Sequence, residues 1–233
     1  MRFKKNYFTS HYRKQYKVNY FKKTAYNSYV KYLFNLKQGT ILDCGCGIGN
    51  FLRFAEKKFV AMGFDISDYA ISQAKNNTKK SKLWVSSVEK VIPLKDEYAD
   101  VVTAFDIVEH FTDHDFFFKE VRRIMHPQGV FLIRTPNLNS YSLQRKGKTW
   151  YGYRDDTHIS LRYKEYWFHV LTNTGFSILD YGTDLIWDTP VFSNLTKTIE
   201  KLIFKGSKML FQYYKPFAHV DWGDNLIILC KKT

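Results

Sequence analysis

Three glycines at alternate positions stand in the run Asp43-Cys44-Gly45-Cys46-Gly47-Ile48-Gly49. Glycine backbones turn sharply and let a ligand approach with no Cβ in the way. The run follows the apolar pair Ile41-Leu42 and opens into Asn50-Phe51, the strand-loop-helix setting a nucleotide loop requires. A second apolar run ends on the acid Asp65, followed by Ile66. One carboxylate there can accept hydrogen bonds from the two adjacent hydroxyls of a ribose. Two histidines are candidate general bases: His110, in Asp106-Ile107-Val108-Glu109-His110-Phe111, and His158, in a segment with Trp150, Tyr151 and Tyr153. Imidazole takes up and releases a proton near neutral pH, and the aromatic rings could pack against a cyclic acceptor.

The surrounding pattern must hold these groups at one edge of a sheet. Tyr26, Tyr29, Val30, Leu33 and Phe34 recur at helical spacing and predict a helix over 24–36. Strands are expected at 40–43, 59–66, 83–86, 100–106 and 130–134, with helices after the first two, at 50–58 and around Ala70, Ile71 and Ala74. Phe117, Val121, Ile124 and Met125 mark a further helix, which His126-Pro127-Gln128-Gly129 should end as a turn. Residues 135–160 read as a long polar and aromatic loop. A helix from Tyr163 to about Thr174 precedes two last strands, 176–181 and 225–231. This alternation implies a doubly wound, mostly parallel α/β sheet with helices on both faces. The chain divides into a basic arm and helix (1–38), a core (39–184), a helical insert serving as cap or lid (185–222) and a final core strand (223–233).

Taken in order, D-C-G-C-G-I-G-N-F, G-F-D-I-S, A-D-V-V-T-A-F-D-I-V-E-H-F, H-P-Q-G-V-F-L-I-R-T-P-N and a closing G-F resemble the class I S-adenosylmethionine (SAM)-dependent methyltransferases, especially their small-molecule branch. The resemblance covers about residues 30–184 and the last strand. It implies a Rossmann-like fold with an antiparallel last strand and SAM as cofactor. By position, Asp43 would hold the methionyl end of SAM through the loop or a water, and Gly45, Cys46, Gly47 and Gly49 would shape its pocket. Asp65 would bind the ribose hydroxyls with Ile66 against adenine, and Asp106 and Ile107 would line the wall beside the sulfonium. Many family members place an acid after the third strand to meet the adenine amine. Here Ser86-Ser87-Val88-Glu89 occupies that place, so Ser87 with the Val88 backbone is expected to substitute. A dinucleotide fingerprint would read G-x-G-x-x-G, which this loop does not; SAM is therefore preferred to NAD.

The implied activity is methyl transfer to a small-molecule acceptor, at a hydroxyl oxygen of a sugar, lipid-linked or secondary-metabolite-like compound. The alternatives are an RNA methyltransferase and a non-catalytic SAM-binding regulatory or scaffold protein. Some ubiquinone and small-RNA 2′-O-methyltransferases of this kind carry E-x-x-E-H and bind a divalent metal. This chain reads Asp106-x-x-Glu109-His110, and His158 could add a ligand. The shorter Asp106 replaces the first Glu, and many similar enzymes have the E-H pair without metal, so no metal is assigned.

Charge and cysteines bound the partners. The net charge is +14, and no acid precedes Asp43, whereas ten Lys and Arg do, from Arg2 to Lys37. Such an arm suits an anionic partner, be it nucleic acid, a membrane surface or a phosphorylated substrate. No RNA-recognition motif accompanies it, which ranks nucleic acid below a small molecule. Cys44, Cys46 and Cys230 have no framework spacing. No apolar run suffices to span a bilayer, so a cytoplasmic enzyme is expected. Leu195, Ile199, Leu202 and Ile203, with Lys197, Lys201, Lys205 and Lys208 nearby, form a basic amphipathic stripe. It would cap the acceptor pocket or make peripheral membrane contact.

Overall fold

The computed structural model describes residues 20–184, 186, 188 and 216–233. The arm before residue 20 and most of the insert, with the Leu195–Ile203 stripe, lie outside the described residues.

Seven strands form one sheet in the order β3-β2-β1-β4-β5-β7-β6. They are β1 (Thr40–Cys44), β2 (Val60–Asp65), β3 (Lys82–Val85), β4 (Ala99–Phe105), β5 (Met125–Pro136), β6 (Phe176–Thr183) and β7 (Asn225–Lys232). β1 to β5 pair in parallel, and β7 inserts antiparallel between β5 and β6. The chain runs outward through β2 and β3, then returns to β4 on the far side of β1. That reversal opens a crevice beyond the carboxyl ends of β1 and β4, where open α/β sheets take their ligands.

The central strands are buried on both faces, as a parallel sheet requires. On β1, Ile41 belongs to one core cluster and Leu42 to the other. The first cluster lies under α1 (Tyr20–Leu36) and α2 (Leu52–Ala55), where Tyr29, Leu33, Phe51 and Leu52 meet Val101, Leu132 and Ile227. The second lies under α4 (His114–Ile124) and α6 (Lys164–Asn173), where Phe117, Phe118, Val121 and Trp167 meet Val102, Ala104 and Phe131. Burying each such side chain stabilises the fold by about 1.5–3 kcal/mol. The α4 helix starts where Asp113 accepts a hydrogen bond from the Phe116 amide at 3.1 Å, satisfying a donor that the first turn leaves unpaired. Ser67 caps α3 (Asp68–Asn77) in the same way through the Ala70 amide.

Three local expectations are corrected. The helix expected over 50–58 is a single α-turn, Leu52–Ala55, within a longer bend. His126-Pro127-Gln128-Gly129 is not a free turn. It lies inside β5 as a bulge, because pairing with β4 shifts register between Ala99–Met125 and Val101–Val130. Residues 135–160 are not an unstructured loop. They fold into α5 (Tyr141–Lys146), capped by Ser140, and two 3₁₀ turns, Gly147–Thr149 and Tyr151–Tyr153. Among the described residues no helix is long and apolar enough to cross a membrane. Cys44, Cys46 and Cys230 are buried thiols.

Candidate active site

The crevice is a cleft whose walls come from Tyr26 on α1 and from five further segments. These are the glycine loop after β1, the end of β2, the loop after β3, the β4 end with its following turn, and Arg134 on β5. Asp43, Gly45, Cys46, Gly47, Asp65, Ile66, Ser87, Val88, Asp106, Ile107 and His110 all line it. Gly49 does not. Its φ is +75°, and a Cβ there would meet Ala74 and Thr78 at 3.1 Å, so its role is to seat α3 against the loop. Gly45 has φ +70°, and a Cβ on it would press to 2.7 Å from Ile107. An alanine there would be strained by backbone and neighbour together.

Asp65 braces the loop while facing the cleft. Its Oδ2 accepts the Gly47 amide at 2.9 Å, and its Oδ1 accepts the Ser67 amide at 2.9 Å. A carboxylate offers about four acceptor sites, so each oxygen can still take a hydroxyl. Burial pushes its pKa up, and the backbone amides oppose that shift. Asp43 is buried, and its Oδ1 accepts from the Thr103 hydroxyl at 2.7 Å. Burial raises its pKa from 3.8 to about 7, against the lowering effects of Thr103 and the Arg134 charge. Asp106 has a left-handed backbone, φ +54°, unusual for a residue other than glycine. Its carboxylate is forked onto Arg134, with Nε to Oδ1 at 2.9 Å and Nη2 to Oδ2.

At the other end of the cleft the two histidines lie side by side, ring centroids 4.8 Å apart. His110 reaches the cleft wall, with its Nδ1 3.1 Å from the Thr157 carbonyl and 3.0 Å from the Thr157 hydroxyl. Burial and then the neighbouring His158 lower its pKa to about 4, so its ring is neutral at physiological pH. His158 sits one layer back. Its Nδ1–H donates to the Gly152 carbonyl at 2.7 Å, which turns Nε2 toward Glu109 Oε1 at 4.0 Å and Asp155 Oδ2 at 3.8 Å. Glu109 is fully buried, and its Oε2 accepts from Thr135 at 3.0 Å. Its Oε1 is buried with no hydrogen-bond partner, and burial holds its pKa well above the carboxylate range. Glu109, His110 and His158 bring three potential metal-ligand atoms within 4.8 Å of one another. Asp106 is outside this group, since its carboxylate is committed to Arg134.

The aromatic residues of this loop do not form an open stacking surface. Trp150 is fully buried, and the Tyr151 hydroxyl donates to the Asp224 carbonyl at 2.9 Å. They anchor the segment, and Tyr153 alone of the three is exposed. Tyr26 and Arg134 are among the wall residues that sequence reasoning missed. Tyr26 descends from α1, where it stacks on Phe54, and Arg134 was hidden in what read as an ordinary strand end.

A methyltransferase-domain family model matches residues 12–181. A ubiquinone biosynthesis O-methyltransferase of Pelagibacter ubique is 38% identical over 112 residues, 46% of each chain. A probable SAM-dependent methyltransferase of Mycolicibacterium smegmatis is 29% identical over 103 residues, 44% of this chain and 40% of that one. The matched stretch thus spans less than half of these relatives. A SAM-dependent methyltransferase structure from Archaeoglobus fulgidus shares the fold, with TM-score 0.68, 20% identity and coverage of 97% of this chain and all of that one. The chain belongs to the class I SAM-dependent methyltransferase family, whose cofactor is S-adenosylmethionine.

Proposed function

We propose that this protein transfers the methyl group of SAM to a hydroxyl oxygen of a small molecule. The single observation that carries the reading is a ligand cleft walled at one end by the Asp65-braced glycine loop and at the other by the neutral imidazole of His110. The O-methyltransferase relative favours oxygen as the accepting atom. The acceptor oxygen attacks the methyl carbon in line with the breaking C–S bond, whose electron pair returns to sulfur and leaves S-adenosylhomocysteine. Oxygen becomes strongly acidic as the new C–O bond forms, so a weakly basic imidazole suffices to take its proton. His110 takes that role at the cleft, and Thr157 holds its ring through Nδ1. Incubation with methyl-labelled SAM and a panel of phenols, catechols and sugars tests the proposal. Label should appear in an ether of at least one hydroxyl acceptor, and label found only in amines or RNA would refute it.

A second reading is favoured by the orphaned Glu109 Oε1. Glu109, His110 and His158 would hold a divalent metal ion, for which one buried carboxylate and two imidazoles are a fitting donor set. When bound, such an ion would polarise the acceptor hydroxyl. The chain's own contribution is to orient both imidazoles, through the Thr157 and Gly152 carbonyls. Activity lost with a chelator and restored by a divalent ion would support this reading, and activity indifferent to chelation would remove it.

A further inference from the structure

SAM carries three charges: a sulfonium and an ammonium, both positive, and a carboxylate. Among the described residues lining the cleft, Asp43, Asp65, Glu89 and Asp106 are acids and Arg134 is the one Lys or Arg. Four acids suit the two cationic groups and repel the carboxylate. Backbone amides of a glycine loop are the usual remedy, since they can cradle an anion. Here the Cys46 amide donates to the Phe64 carbonyl, the Gly47 amide to Asp65 and the Gly49 amide to the Cys46 carbonyl. The Cys46, Gly47 and Gly49 amides are thus taken by Phe64, Asp65 and the loop itself, which favours a cation for the carboxylate.

We propose that Arg134 binds the methionyl carboxylate of SAM, with Asp106 as its resident counter-ion. The proposal rests on the SAM reading of the cleft. The four anchoring positions follow the order of the sheet. Asp65 ends β2, Asp43 lies in β1, Asp106 follows β4 and Arg134 lies in β5. A ligand with its ribose on Asp65 therefore extends its amino-acid end across β1 and β4 toward β5, on the side where Arg134 stands.

The arginine is held for such a task. Its side chain is only 16% exposed, and its guanidinium lies 5.3 Å above the Phe105 ring. Asp106 uses one donor on Nε and one on Nη2, and the Tyr29 hydroxyl also hydrogen-bonds the side chain, whereas a guanidinium has five donors. The left-handed Asp106 backbone costs on the order of 1–2 kcal/mol, a strain that persists because the fork and the Asp106 amide bond to the Arg134 carbonyl at 2.8 Å secure it. A buried guanidinium that is paired and still borders a ligand cleft is preorganised to receive a second carboxylate.

Calorimetry with two ligands isolates the effect: SAM, and decarboxylated SAM, which lacks the carboxylate and keeps the ammonium and sulfonium. The wild-type protein should prefer SAM by roughly 10- to 100-fold, the worth of a hydrogen-bonded charge pair. Arg134→Gln should remove that preference while decarboxylated SAM binds as well as before, so that ligand also reports an intact site. Asp106→Asn tolerates the left-handed backbone, removes the competing carboxylate and should keep or widen the preference. A preference that survives in Arg134→Gln, or equal loss of both ligands, would overturn the assignment. If Arg134→Gln does not fold, a preference reduced in Arg134→Lys supports the assignment and an unchanged one overturns it. Failure of the wild-type protein to bind either ligand would instead overturn the SAM reading itself.

Discussion

The two ends of the cleft are built in different ways. At the cofactor end, backbone does the shaping: glycines at φ +70° and +52° and a carboxylate held by two amides. At the proposed acceptor end, side chains do it: two imidazoles side by side and tilted at 59°, a buried glutamate and a loop anchored by Trp150 and Tyr151. A backbone-built site needs particular residue types at fixed spacing and accommodates one ligand shape. A side-chain-built site can be altered one residue at a time, so it can serve many acceptors on one fold. The two ends should therefore fail separately when mutated.

The largest separation is expected for His110→Ala, which should lower turnover by roughly 10²–10⁴-fold while S-adenosylhomocysteine binds with normal affinity. Steady-state kinetics beside calorimetry checks this, and comparable loss in both would dissolve the distinction. Trp150→Ala removes a fully buried indole and should destabilise the fold by about 3–5 kcal/mol, read as a lowered denaturant midpoint. The protein that remains folded should still bind the cofactor product, since Trp150 does not line the cleft.

The smallest effect concerns Asp43, whose pKa stands raised at about 7 from an ordinary 3.8. Because the folded value lies above the unfolded one, the folded state holds the extra proton. Asp43 thus favours folding at low pH, and that contribution is lost as pH rises from about 4 through about 7. Binding a ligand with an ammonium group favours the ionised form. Affinity for S-adenosylhomocysteine should rise several-fold, roughly, between pH 6 and 8 and then level off. Asp43→Asn should flatten the profile, and an unchanged slope in that variant would assign the effect to another group.

The same contrast governs what the sequence made legible. The parallel core and the cofactor wall follow from local patterns: apolar runs, alternating glycines and an acid at a strand end. Of the positions expected in that wall, only Gly49 stands outside the lining, because its contact is with α3. The acceptor end depends on contacts between residues distant in sequence. His110 and His158 meet because Thr157 and Glu109 tie their segments together, with the Ser160 amide bonded to the Glu109 carbonyl at 2.9 Å. Trp150 and Tyr151 read as acceptor-facing from composition, yet burial takes the one and Asp224 the other. Tyr26 lies outside the motifs, and Arg134 stands within one with nothing to mark its place in the cleft. Their places arise from the packing of α1 and the β4–β5 register, in which Phe105 pairs with Arg134.

The central claim is that the cleft is a SAM site organised around Asp65. Calorimetric titration of wild type and Asp65→Ala with S-adenosylhomocysteine, with NAD as control, tests it most directly. Micromolar-range affinity, no binding of NAD, and a loss of roughly 1.5–3 kcal/mol in the variant, the worth of hydrogen bonds to a charged acceptor, are expected. Unchanged affinity in Asp65→Ala, or NAD binding in place of S-adenosylhomocysteine, would contradict it.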